Sequence, residues 1–592
     1  MTELLECDMV MKGGITSGVV YPSAVADLSA TYRLRNVGGA SAGAIAAAAA
    51  AAAEYNRAGG GFDKLRALPE DLATDLQSLF HPAAELAPVF TVALDALAAK
   101  KVPIRGVVGL AAHPRTRVWL VVLGVLLCGA VAMFWVSGWA GAFGLAAWLI
   151  VVALIVVKLI VDLARLATRT VQQVNANNFG FCDGQTRAPG YPDEPAPLTQ
   201  WLTELFNDLA GLPVDQPLTF GHLWGDEAVR LYREALQGDA QNPPPHEVVR
   251  ARVIDLRVMA TNVSMGRPYT MPLDTRQYMW CEQCLGRYFN DDVIRSMKEC
   301  PSGAPAEAGR LCPVHGTQLW RFPAAPDLPV VVAVRISLSF PVLFSAVPLH
   351  IVDRSRAKEK QDVRICWFAD GGIASNFPLH LFDSMWPRRP TFGISLGPDH
   401  PDYSAMVYRP SRPQDGINLR IGSIDSIVGF LGATMRAMQN WTDSLQRTQP
   451  GYRDRVVEIQ TADSEGGLNI AMTPEQIRRL AERGSEAAGE FSKFDFDSHQ
   501  WIRYRSAMSE MSRLFESMHD AWTDPQVSIQ RLLVPGYTPA FMPPGSKQWS
   551  VSDAAATAHL LTTIEEWLRL GLPAMQSSPP RPSPQVRLTP RA

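Results

Sequence analysis

The sequence predicts an α/β fold, and three observations lead to it. Asp8-Met9-Val10-Met11 reads as a short buried strand that breaks into Lys12-Gly13-Gly14-Ile15-Thr16-Ser17-Gly18. Tyr32-Arg33-Leu34-Arg35-Asn36-Val37 reads as a second strand, entering Gly39-Ala40-Ser41-Ala42-Gly43 and leaving it as an alanine-rich helix over 44–53. Far downstream, Val363-Arg364-Ile365-Cys366-Trp367-Phe368-Ala369 is a strand that ends at Asp370-Gly371-Gly372. Strand, tight turn and helix together lift a serine hydroxyl onto an exposed elbow.

Each element has a chemical reason. Gly39 and Gly43 leave room for a sharp turn two residues either side of Ser41, and amides at the helix start, Ala42 among them, face a developing negative charge. The loop through Gly13, Gly14 and Gly18 presents further amides to an anion. Asp370, at a strand end, is placed to face a cleft. A hydroxyl and a carboxylate so disposed supply a nucleophile and a candidate base, which points to an ester hydrolase.

In this order the elements resemble the patatin-like phospholipase family, whose members pair an oxyanion loop, a G-x-S-x-G serine and an Asp-Gly-Gly aspartate. The resemblance extends to Val334-Arg335-Ile336-Ser337-Leu338-Ser339-Phe340-Pro341-Val342-Leu343-Phe344 before the aspartate and Ile373-Ala374-Ser375-Asn376-Phe377-Pro378 after it. It implies a central, mostly parallel sheet flanked by helices. It also implies Ser41 as the acyl-accepting nucleophile and Asp370 as the group that takes its proton, with no histidine and no catalytic cofactor. Amides near Gly13, Gly14 and Ile15, with Ala42, would hold the oxyanion, and Gly18, Gly39, Gly43, Gly371 and Gly372 are the motif glycines. The implied substrates are acyl esters of phospholipids or lysophospholipids.

An aspartate with an ordinary pKa of about 3.9 is a feeble base, so the dyad needs a dry cleft. The oxyanion loop also departs from the family's commonest form, in which an aspartate precedes three glycines and a basic residue follows two places later. Here Lys12, Ile15 and Ser17 hold those places. A catalytically weak or idle scaffold is therefore one alternative, and acyl transfer from the same serine ester to an alcohol is another. His350 and His380 flank Asp370 in sequence and are read as packed or partly exposed histidines rather than triad members.

Residues 118–157 carry no charged side chain, which predicts a transmembrane hairpin with spans at 118–136 and 142–161. Lys100, Lys101, Arg105, Arg115 and Arg117 before it, and Lys158, Arg165 and Arg169 at or beyond its end, place both termini in the cytoplasm. The expectation is thus a multi-pass protein, its catalytic part cytoplasmic, with a bilayer, such as the bacterial inner membrane, as partner. The acidic amino terminus lacks a secretory leader, and a net charge of −3 gives no global attraction for nucleic acid.

Cys281-Glu282-Gln283-Cys284 and Cys312-Pro313-Val314-His315 have the two-residue spacing of a structural zinc site. Reduced thiols or a redox pair are the alternatives, with Cys300 as a spare ligand or packing residue. The division that results is 1–115, first part of the catalytic domain; 116–163, hairpin; 164–250, connecting or cap segment; 251–400, second part, with the zinc insertion at 280–316; 401–575, a helical region; and 576–592, a disordered Pro-rich tail. Within the cap segment, 198–206 has the spacing of an amphipathic helix that covers the cleft, lies on a bilayer or packs on the surface.

Overall fold

The computed structural model describes residues 4–14, 17–87, 89–90, 140–185, 196–238, 246–398, 405–410, 415, 421, 423–462, 465, 472–524, 526, 528 and 551–570. Their centre is an eleven-stranded mixed sheet. Its strands are β1 (Leu5–Met11), β2 (Tyr32–Gly39), β3 (Asp255–Asn262), β4 (Arg267–Met271), β5 (Met279–Trp280), β6 (Trp320–Arg321), β7 (Val347–Val352), β8 (Val363–Asp370), β9 (Thr391–Pro398), β10 (Val407–Tyr408) and β11 (Val456–Thr461). Their order is β10-β11-β9-β1-β2-β3-β8-β7-β5-β6, with β4 paired to β3.

The expected mostly parallel sheet is corrected here. The run β11-β9-β1-β2-β3 is parallel, but β8, β7, β5 and β6 continue it antiparallel, as do β4 and β10. For β3–β4 and β7–β8 the cause is connection length. Four residues join β3 to β4 and ten join β7 to β8, and links this short make hairpins because a parallel crossover needs a dozen residues or more.

Helices cover the parallel half. The helix α1 (Val20–Leu28) links β1 to β2, and α2 (Ala42–Tyr55) leaves β2 with a run of fully buried alanines that lets it lie close on β1, β2 and β3. Beside it pack α3 (Gly61–Asp75) and, after the long α4 (Ala140–Ala176), α5 (Leu198–Ala210). The helix α6 (Val330–Ser337) is wholly buried. A carboxy-terminal layer follows, with α7 (Ile427–Arg447), α8 (Pro474–Phe491) and α9 (Phe496–Thr523). It docks through Gly484 of α8, where a Cβ would overlap the Val20 carbonyl of α1.

The transmembrane hairpin, and with it the multi-pass localisation, is also corrected. Among the described residues no helix is long and apolar enough to cross a membrane. The expected first span, 118–136, lies outside the described residues. The second belongs to α4, whose described side chains interleave Lys158, Asp162, Arg165 and Arg169 with apolar ones, and whose surface carries the ion pairs Lys158–Asp162 and Arg165–Asp162. Residues 576–592 likewise lie outside the described residues.

Candidate active site and metal cluster

Sheet register brings Ser41 and Asp370 together. Gly39 ends β2 opposite Val258 of β3, and Ala260, two residues further along β3, stands opposite Asp370 at the end of β8. Two residues beyond Gly39 the chain turns at Ser41, with φ 54° and ψ −131°, before α2 begins. That left-handed backbone is strained for a residue with a Cβ, and it is the shape of a nucleophile elbow. The glycines fit the same turn: a Cβ at Gly39 would overlap the Gly43 carbonyl, and one at Gly43 would overlap the Met11 carbonyl.

Asp370 is buried, its Oδ1 accepting from the Gly372 amide at 2.6 Å. Burial raises its pKa to about 7, against the lowering effects of the Ser41 hydroxyl and the Gly372 amide. The Ser41 contact is loose, since Asp370 Oδ2 has no partner of regular hydrogen-bond geometry among the described residues. Apo pairs of this kind commonly tighten when a substrate closes over them. Gly371 is required because a Cβ there would overlap the Met259 carbonyl. His350 and His380 are not among the groups acting on Asp370.

The oxyanion loop is partly committed elsewhere. The Gly13 amide donates to the Asn376 carbonyl at 2.9 Å, so it is turned away from Ser41, although a Cβ at Gly13 would stand 3.0 Å from that of Ser41. Ser41 donates its own amide to Ser337 Oγ at 3.1 Å. Ala42, first residue of α2, has no acceptor within its helix, and Gly14 accepts from Gly18 at its carbonyl, leaving the Ala42 and Gly14 amides as the described donors. Ile15 lies outside the described residues. Lys12 turns inward: its Nζ donates to the Leu396 carbonyl at 2.8 Å, and burial lowers its pKa to about 8.

From Ser41 a narrow apolar cavity of about 90 Å³ runs between α2, α3 and α5, lined by Ala42, Ile45 and Ala49, by Leu65, Leu68 and Leu72, and by Leu198 and Trp201. The amphipathic spacing at 198–206 thus yields a helix that walls this cavity. Leu338 and Phe340 close its other side.

At the antiparallel end of the sheet, Cys281, Cys284, Cys312 and His315 place one ligand atom each within 4.8 Å of the other three. Cys284 and Cys312 sulfurs are 3.7 Å apart, and His315 Nδ1 lies 3.6, 3.4 and 3.7 Å from the three sulfurs. A tetrahedral ion with metal–sulfur bonds of about 2.3 Å needs edges of about 3.8 Å, so the cluster is able to hold a metal ion. Cys300 is not in it; its thiol faces the Met297 carbonyl and Ser302. His350 stands behind the cluster, Nε2 3.6 Å from Cys312 Sγ. None of the four ligands lines the cavity at Ser41, so this metal would brace the sheet edge rather than meet a substrate there.

No family model matches the chain. It is 32% identical to the RpoH suppressor of Rhizobium meliloti (strain 1021), across 99% of this chain and 98% of that one. The chain belongs to the RpoH suppressor family. The chain also shares 38% identity over 81 residues, 14% of its own length and 24% of the other's, with the uncharacterized protein YqhO of Bacillus subtilis (strain 168). The crystal structure of VipD from Legionella pneumophila aligns with 98% of the chain and 88% of its own, at 14% identity and a TM-score of 0.30.

Asp443 of α7 went unread in the sequence of this RpoH suppressor family member. Its carboxylate accepts from Ser375 Oγ at 2.9 Å and from the Asn376 and Phe377 amides at 2.8 Å each. Asn376 in turn straps the oxyanion loop, accepting from the Gly13 amide and donating from Nδ2 to the Gly13 carbonyl at 3.3 Å. The sequence held a signal for Asn376, in the run after Asp370. It held none for Asp443, which sits in an unmarked helical stretch.

Proposed function

We propose that the chain is a patatin-like serine acyl hydrolase of lipids, of phospholipase A or lysophospholipase type, in which Ser41 attacks the ester and Asp370 takes its proton. One observation carries the reading: a strained serine, in contact with a buried carboxyl, lines an apolar cavity. An apolar slot beside a nucleophile suits an acyl chain. Ser41 would form an acyl ester as the alcohol leaves, the Ala42 and Gly14 amides would hold the oxyanion, and water would release the acid. The commitment of the Gly13 amide to Asn376 favours a second reading, a weak or idle scaffold. Transfer of the acyl group to an alcohol uses the same chemistry.

The test is labelling by a fluorophosphonate probe together with mass-spectrometric product analysis on mixed phospholipids. Labelling and fatty-acid release that both vanish in Ser41→Ala support the hydrolase. A native protein that neither labels nor releases acid leaves the scaffold. Acyl product on an added alcohol in preference to water marks a transferase. The metal cluster we assign to zinc, on three thiolates and one imidazole at tetrahedral spacing.

A further inference from the structure

Away from Ser41, a second cavity of about 450 Å³ opens beside the metal module, lined by Arg276, Arg310, Arg321 and Arg354. Its single carboxylate, Glu307, pairs with Arg310 at 3.5 Å. Among the described residues, Arg276, Arg321 and Arg354 have no carboxylate partner, and the buried Arg276 Nε has no acceptor at all. Three uncompensated guanidinium groups therefore share one concavity in a chain whose net charge is −3.

Such clustering is unfavourable until an anion enters, and planar guanidinium forks match phosphate oxygens two at a time. The volume falls in the range that small molecules fill. The wall is firm, because Met279 and Ala306, which line the cavity, pack with Cys281, Cys284 and Cys312. We propose that this cavity binds a soluble small molecule bearing two or more phosphate groups, held by Arg276, Arg310, Arg321 and Arg354. The site is independent of the hydrolase reading.

The experiment is calorimetric titration of the full-length protein with fructose 1,6-bisphosphate, with fructose as the uncharged control. Saturable one-to-one binding of the bisphosphate alone is expected, weakened about tenfold or more in the Arg276→Gln/Arg354→Gln double variant and unchanged in Ser41→Ala. Should the double variant not fold, by circular dichroism, Arg276→Lys/Arg354→Lys keeps both charges without the forks and is expected to bind with intermediate affinity. Absence of saturable binding, equal binding of fructose, or unaltered affinity in either double variant overturns the proposal. Tighter binding of dihexanoyl phosphatidate than of the bisphosphate overturns the soluble assignment in favour of a lipid head group.

Discussion

Burial raises the Asp370 pKa to about 7, because loss of water around its carboxyl outweighs the lowering pull of the Ser41 hydroxyl and the Gly372 amide. As the proposed base it must ionise, so ester hydrolysis should rise with pH through about 7, and a pH–rate profile of kcat/KM checks this limb. The same shift acts on stability with a definite sign. Between the unfolded pKa of about 4 and the folded pKa of about 7 the native state binds more protons, so stability falls as pH rises across that window. Asp370→Asn should therefore be the more stable protein at pH 8, by about 4 kcal/mol at most, with the gap closing below about pH 4 in urea titrations. Gly43→Ala should be severely destabilised, since the new methyl meets the Met11 carbonyl, and thermal unfolding reads that loss. His380 is half-buried and feels the charges of Asp443 and Asp383, so a folded His380→Ala should keep most of the turnover.

Elements decide what those residues can do, and α7 is the clearest case. Asp443→Asn removes the charge from three hydrogen bonds to Ser375, Asn376 and Phe377, bonds of about 1.5–3 kcal/mol each when charged. The oxyanion loop they steady through Asn376 should loosen, and kcat should fall about tenfold with KM little changed; steady-state kinetics on a soluble ester separates the two constants. Local patterns explain which elements were legible. The turn at Ser41 and the strand end at Asp370 were readable because each announces itself within five residues. The direction of the Gly13 amide was not, since it is set by Asn376 more than three hundred residues away. Sheet direction was readable in part: the short links after β3 and β7 forbid a crossover, a signal that the resemblance to a parallel fold obscured. The charge-free run was legible as apolar, but α4 carries it onward into charged residues.

At the scale of the molecule, the metal module finishes the antiparallel edge, where Met279 of β5 faces His350 of β7. Elemental analysis should find one zinc per chain, and chelation or Cys284→Ser should lower the thermal midpoint of the whole protein, since ligand binding energy here is folding energy. None of the four ligands lines the cavity at Ser41, so the proposed dyad should keep its expected fluorophosphonate labelling in any fraction that stays folded. The other end of the sheet has a different dependence. Asp443 arrives late in the chain, and the loop it fastens holds the turn beside Ser41. A ribosome therefore delivers Ser41 long before Asp443, and the turn beside that serine gains its fastening only once nearly three quarters of this sequence has been made.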